Sequence, residues 1–531
     1  MRLLLLILAL SGLVPAAAQT GSLEQRLSEK ERRLEDLYAQ YWRAEYKVAL
    51  GDRSVSSLPI QQKLREVVLD DEFLRELKAA DFTDPLLQRR RKLFLEEAVH
   101  TKIFTTPELA RLVEEIERDE ADFRYEVDGK KLRRSEINNL IATSPDREVR
   151  RRAWESTAKL SLRTDDRIRR AMKMRLDIGR RYGGQYYPDF QLERKGVVDR
   201  GRLMAMFERI RVETQPEYDR LLARMRSELK IDKVEPWDLA YFFTHWTKQG
   251  SGKSEDDLFP RKQMWQRSRR LTAALGLDLD KLPVEYRAAE ITFGGGTYPI
   301  LYRREVRILV NKYSGLRFID TLLHEIGHAL HYSYNADPTF ILAGSYAEPF
   351  DEGLGQVIAL MLYRPELSTR YFALTQEQAQ RIRERYRLKL LVDLRETMAD
   401  SLFEFAAYEN PERDFVADYN RIYEQHLGVD LHGQPVWAFD PFYSGGPIYL
   451  QSYVLAEMVG WQIQAAVEKR FGTDWGQAVG KYLKEKFFSY GGRATLDQIL
   501  ESGTGEPLNA DYLINALKQP SAAAPGRSAP R

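Results

Sequence analysis

Apolar residues recur along most of this chain at helical spacing. Between Leu23 and about Tyr125, the residues Leu34, Leu37, Tyr38, Tyr41, Trp42 and Tyr46 return every three or four positions with charges between them. That is the pattern of amphipathic helices with one face in a core. Phe318, Leu322, Leu323, Ile326, Ala329 and Leu330 predict a more deeply buried helix. The run from Leu354 to Leu360 predicts another, with Pro349 in its opening turn and acids at its start. Arg381 to Phe405 and Val454 to Val467 read as further long helices. Ile291 to Val310 breaks the period. Gly294-Gly295-Gly296-Thr297-Tyr298-Pro299 is rich in turn residues, and Val306, Ile308 and Val310 alternate with Arg307 and Leu309, which predicts a strand. The expected class is mainly α with a small β-sheet.

The two ends read differently from the middle. Met1 to Ala18 has the form of a Sec-type secretory signal: Arg2, an apolar run from Leu3 to Val14, and a small-residue cleavage site at Pro15-Ala16-Ala17-Ala18. The run is short for a membrane span. From Gln519 to Arg531 the chain is rich in Pro, Ser and Ala without apolar periodicity, which predicts a disordered tail. Residues 19–518 are expected to form a single domain. The chain has no cysteine, which excludes disulfides, thiolate metal sites and cysteine nucleophiles. A long exported chain without disulfides points to the bacterial envelope, most simply the periplasm. A net charge of +2 gives no electrostatic case for nucleic acid or acidic membranes. The basic runs Arg89–Lys92 and Arg147–Arg152 are flanked by apolar residues and read as solvated helix faces. Gly252-Lys253-Ser254 lacks the leading glycine and strand of a phosphate loop and reads as an exposed loop.

The chemistry centres on His324-Glu325-Ile326-Gly327-His328. On a helix, positions four apart share a face, so His324 and His328 can aim two imidazoles at one point, as a zinc ion requires. Glu325 sits on the flank, where it can act as a general base without binding metal. A buried helix carries such residues only if something neutralises them. Downstream, Glu352 would face inward one turn before Gln356 and is the expected third ligand; Glu348 and Asp351 compete for that role. A second acidic stripe, Glu396, Asp400 and Glu404, reads as a solvated or arginine-paired face. Near the C-terminus, Tyr443, Tyr449 and Tyr453 flank Gly445-Gly446-Pro447 at the entrance of a helix. A tyrosine hydroxyl there can donate to a developing oxyanion.

Motif and spacing together resemble the angiotensin-converting enzyme family of gluzincin peptidases. The resemblance lies in His324-Glu325-Ile326-Gly327-His328, Ala336-Asp337-Pro338, Glu352-Gly353-Leu354-Gly355 and Ala359-Leu360, with the linker length matching without a gap. Pro236-Trp237-Asp238-Leu239-Ala240-Tyr241 and the His324–His331 segment also look similar to motifs of the related thimet oligopeptidases. The resemblance implies a neurolysin- and converting-enzyme-like helical peptidase with two halves around a deep central cleft. Its N-terminal helices would form a lid, and its small sheet would pair with the substrate backbone. It implies one Zn2+ per chain on His324, His328 and Glu352, with Glu325 as catalytic base. Tyr453 would be the oxyanion donor, because the helix after it aligns without a gap; Tyr449 and then Tyr443 follow as substrate-contacting tyrosines. The implied activity is hydrolysis of short peptides by removal of C-terminal dipeptides. The alternatives are internal cleavage of the thimet type and a non-catalytic zinc-binding scaffold. The chain departs from the family in four places. Gly294 and Tyr443 stand where converting enzymes carry histidines, no lysine lies at the position that grips a substrate carboxylate, and Ser452 replaces the chloride-binding arginine.

Overall fold

The computed structural model describes residues 22–197, 199–246, 255–313, 315–439 and 442–518. The expected signal, the Gly-Lys-Ser loop and the tail lie outside them. Among the described residues no helix is long and apolar enough to cross a membrane.

Helices dominate, as the periodicity predicts. Helix Leu23–Ala49 starts at a capping box in which Ser22 and Gln25 satisfy each other's backbone N–H. Its Leu27, Leu34 and Leu37 form a small separate core with Val67, Phe73, Leu77 and Phe94. The basic run at its neighbour, helix Pro85–Phe104, is not the solvated face its flanks suggest. Arg90 is buried and clamps Glu31 through two hydrogen bonds of 2.9 and 2.8 Å, while Arg89 donates to the carbonyl of Gly492. Likewise Arg150, on helix Arg147–Ser156, is buried against the fully buried Asp238, which Arg147 also reaches. Fixed guanidinium forks tie elements together here, and a sequence pattern cannot tell such a cation from a hydrated one.

A continuous core runs from Ile103 to Leu517. At its centre is helix Gly315–Tyr334, the motif helix, whose Phe318, Leu322, Leu323 and Ile326 are completely buried. Each contributes about 1.5–3 kcal/mol of hydrophobic stabilisation. A three-stranded sheet lies against it: β1 (Val284–Ala289), β2 (Gly295–Leu301) and β3 (Glu305–Asn311), in the order β1-β3-β2. β1 runs parallel to β3 and β2 antiparallel to it. Val306, Ile308 and Val310 join the core of the motif helix, while Leu309 packs with Tyr298 and Ile300 against Ala39 and Tyr46 of the N-terminal helix. Both faces of the sheet are therefore covered. β1 escapes a sequence reading because Glu285 and Arg287 alternate with its apolar residues over only six positions.

Two more helices complete the central layer. Helix Glu348–Ala359 lies across the motif helix, and helix Gln451–Phe471 lies across that one. The approach is close enough to require glycine: a Cβ on Gly327 would stand 2.4 Å from the carbonyl of Leu354 and 2.6 Å from Cα of Gly355. Helix Gln376–Glu409 packs behind them. Its acidic stripe is solvated only at Glu396, which is exposed. Asp400 and Glu404 are buried; Asp400 accepts from the Tyr419 hydroxyl and Glu404 from the backbone N–H of Ile448.

Candidate metal centre

The motif helix brings its two histidines together as the spacing demands. The Nε2 atoms of His324 and His328 are 3.0 Å apart. Oε2 of Glu352, from the crossing helix, lies 3.3 Å from one and 3.9 Å from the other. Among the described residues this is the one group of three or more His, Asp, Glu or Cys side chains whose ligand atoms converge within 4.8 Å. The His324 side chain is 24% exposed and those of His328 and Glu352 are 8% and 14% exposed, so solvent reaches the group from the His324 side.

Of the three competing acids, only Glu352 points at the histidines' Nε2 atoms. Asp351 turns the other way. Its Oδ2 lies 3.2 Å from His328 Nδ1 and accepts from the Tyr332 hydroxyl at 2.8 Å, and its Oδ1 lies 2.6 Å from His331 Nδ1. Glu348 pairs with Lys195 at 2.9 Å. His324 is held by a different group: its Nδ1 lies 3.1 Å from the amide oxygen of Gln356, one turn beyond Glu352. Its ring lies on Gly355, where a Cβ would be only 2.6–3.0 Å from three ring atoms.

These contacts test whether the residues fit a metal ion. Each imidazole faces an acceptor at Nδ1, which calls for an Nδ1–H and leaves the lone pair of the neutral ring on Nε2. Two such lone pairs and a carboxylate directed at one point repel unless a cation lies between them. In the metal-free chain a proton serves: burial opposes the charge on His328, but Asp351, Glu352 and Glu325 outweigh it and push that histidine up to about 10. Two imidazoles and a carboxylate, with further positions open, suit zinc.

Glu325 is beside this group but not part of it. Its Oε2 accepts from the Thr297 hydroxyl at 2.8 Å, and the same hydroxyl lies 2.9 Å from the Glu325 carbonyl. Burial raises its pKa, against the pull of the two histidines. β2 leaves room for the carboxylate, because a Cβ on Gly295 would stand 3.1 Å from Glu325 Oε1.

The tyrosines divide. Tyr449 donates its hydroxyl to Glu352 Oε1 at 2.7 Å, and Lys195 Nζ stands 4.5 Å from its ring centre. The structure thus gives Tyr449 a contact with the carboxylate of Glu352. Burial raises the Glu352 pKa, but His324, His328 and this hydroxyl outweigh it and hold the carboxylate ionised. Tyr453 is 39% exposed with its ring 5.3 Å from that of Tyr449. Tyr443 is not at the site. It is fully buried, packed on Phe403 and Trp437, with its hydroxyl 3.4 Å from Asp400; a side chain without exposed surface has no face to offer a substrate.

Sequence reasoning missed Thr297, Gln356 and the orienting role of Asp351. Gln356 was detectable in principle, lying four residues after Glu352 on one helical face. Thr297 reaches Glu325 only through tertiary packing.

No protein-family model matches the chain, and none of the curated proteins matches it. Among solved structures, the M32 carboxypeptidase from Deinococcus radiodurans R1 superposes with a TM-score of 0.67 at 15% identity, covering 94% of this chain and 98% of its own. The Pyrococcus furiosus carboxypeptidase in its apo-Mg form gives a TM-score of 0.62 at 15% identity, covering 94% of this chain and 99% of its own. The likeness is one of fold and extends over nearly the whole of each molecule. The chain therefore has the fold of these two carboxypeptidases, carried by a sequence with little identity to theirs.

Proposed function

We propose that this chain is a zinc-dependent peptidase that shortens small peptides from the C-terminus, with one zinc ion on His324, His328 and Glu352. The observation that carries this reading is the convergence of those three donors beside a buried carboxylate, Glu325, that binds none of them. A zinc ion in that position would polarise a peptide carbonyl and acidify a water molecule.

The chain's own residues supply the rest. Glu325 takes the proton of the attacking water and returns it to the leaving amine. Its raised pKa favours the first step, since a more basic carboxylate is the stronger general base. Thr297 fixes one carboxylate oxygen and leaves the other to the reaction. Tyr453, exposed next to Tyr449, is the donor to the developing oxyanion. β2 is an edge strand, and its Gly295–Thr297 segment beside Glu325 offers backbone groups to an extended peptide. The N-terminal helix packs over the same strand, Trp42 and Tyr46 both meeting Tyr298, and would limit entry to unfolded peptides.

C-terminal attack is favoured over internal cleavage by the likeness to two proteins named as carboxypeptidases. The resemblance to converting enzymes favours release of dipeptides over single residues. Digestion of defined peptides read by mass spectrometry tests both. Ladders spaced by two residues from the C-terminus support the dipeptidase reading, and ladders spaced by one support a carboxypeptidase in the strict sense. Internal cuts would overturn both. Export to the bacterial envelope rests on the Met1–Ala18 segment, and a mature N-terminus at or near Gln19 in the periplasmic fraction is the expected result.

A further inference from the structure

We propose that Glu457, outside the donor set, is a positioning residue for His324 that acts through the amide of Gln356. The inference rests on the metal reading above. Glu457 lies on helix Gln451–Phe471 and is buried. The Gln356 side chain bridges it to the histidine: Nε2 of Gln356 donates to Glu457 Oε1, and Oε1 of Gln356 lies 3.1 Å from His324 Nδ1. On the far side the Tyr386 hydroxyl donates to both oxygens of Glu457, at 2.9 and 3.1 Å. The Tyr386 ring is stacked on Tyr363 at 4.0 Å, and Tyr363 in turn donates to Asp320 at 2.7 Å. The chain Tyr386–Glu457–Gln356–His324 is continuous from the long helix behind the site to the metal ligand.

A primary amide has two faces of opposite character and nearly the same shape. If its oxygen faces His324, the imidazole must carry its proton on Nδ1, and Nε2 is left with the lone pair that a metal needs. If its NH2 group faces His324, the imidazole must accept at Nδ1, and its proton moves to Nε2, where it blocks coordination. Gln356 by itself has no preference. A carboxylate is an acceptor without a donor, so Glu457 accepts the NH2 end and turns the oxygen toward His324. The two ligand histidines are thus oriented by different means: His328 meets the carboxylate of Asp351 directly, and His324 meets a carboxylate through one amide. Groups that orient metal-binding histidines typically change affinity about 10–100-fold when removed.

The test is a double swap. Zinc affinity is measured by competition with a chromophoric chelator for the wild type, Glu457→Gln, Gln356→Glu and the double variant Gln356→Glu/Glu457→Gln, with thermal unfolding of each metal-free protein alongside. Glu457→Gln places two amides face to face and is expected to weaken zinc binding about 10–100-fold. Gln356→Glu opposes two buried carboxylates and is expected to destabilise the metal-free protein. The double swap reverses the hydrogen bond while still presenting an acceptor to His324, and is expected to restore zinc affinity to at least the wild-type value. Wild-type zinc affinity in Glu457→Gln would overturn the proposal, as would a folded double swap that binds zinc as weakly as Glu457→Gln. Should the variants not fold, 15N spectra of histidine-labelled, zinc-loaded wild type decide: the proposal requires a proton on His324 Nδ1, and a ring deprotonated there refutes it. A wild type that takes up no zinc would instead overturn the metal reading itself.

Discussion

Gly355→Ala separates helix propensity from the needs of the metal centre. Gly355 lies inside helix Glu348–Ala359, where alanine is intrinsically favoured over glycine by about 1 kcal/mol. Propensity alone therefore predicts a more stable protein. The site predicts otherwise. The added Cβ would stand 2.6 Å from Cε1, 2.7 Å from Nδ1 and 3.0 Å from Nε2 of His324. An ordinary contact needs about 3.5 Å or more, so the imidazole must retreat by nearly 1 Å. It cannot do so and keep both its 3.1 Å contact with Gln356 and its 3.3 Å approach to Glu352. Overpacking of this kind costs about 1–3 kcal/mol, which offsets or exceeds the propensity gain. Displacement of an orienting contact is expected to weaken zinc binding about 10–100-fold. A misplacement of about 1 Å at a reacting centre lowers turnover by about 100-fold. The assay pairs chelator competition for zinc with thermal unfolding of the metal-free protein. The expected outcome is a folded protein with impaired zinc binding. Wild-type zinc affinity in Gly355→Ala would refute the placement of His324 on that glycine.

Three further outcomes follow from the same geometry. Glu325→Gln should leave zinc affinity near the wild-type value while turnover falls by about 100-fold or more, measured on one peptide at saturating zinc. Tyr449→Phe removes the 2.7 Å hydrogen bond to Glu352 and should weaken zinc binding about 10-fold, whereas Tyr453→Phe should lower kcat with zinc affinity unchanged; the reverse pattern would exchange their roles. Burial pushes Glu457 up to about 7, above its usual range near 4.5. Its native state therefore binds more protons than the unfolded chain between those values, so its contribution to stability is present at pH 4 and is lost as the pH rises through 7, above which Glu457 is the ionised acceptor that orients the Gln356 amide. A difference of that size between the folded and unfolded chains corresponds to a loss of about 3 kcal/mol. The stability difference between wild type and Glu457→Gln, both metal-free, should move by that order across the window in urea unfolding, and a pH-independent difference would contradict it.

Much of the fold and the donor set could be read from local pattern, and the reasons are physical. His324, His328 and Glu325 are related by helix geometry within one turn, so their mutual placement is local information. Glu352 follows from an inward-facing position on the next helix. What the sequence does not carry is the choice among acceptors and donors made by packing. Asp351 and Glu352 are neighbours in the chain, yet one orients His328 and His331 while the other joins the donor set. The three tyrosines look equivalent as text, but Tyr443 is core, Tyr449 holds Glu352 and Tyr453 is exposed. The buried ion pairs of Arg90 with Glu31 and of Arg150 with Asp238 join residues far apart in the chain, so an amphipathic pattern shows them only as surface charge.

The central claim is that one zinc ion on His324, His328 and Glu352 makes this chain a peptidase. Its most direct test is reconstitution: strip the purified protein with a chelator, return zinc in measured increments, and follow hydrolysis of a defined peptide together with bound metal. Activity is expected to be absent from the stripped protein and to rise in proportion to bound zinc until one equivalent per chain, with Glu325→Gln binding the same equivalent and remaining inactive. Hydrolysis by the stripped protein, or a fully loaded wild type without activity on a broad peptide set, would contradict it.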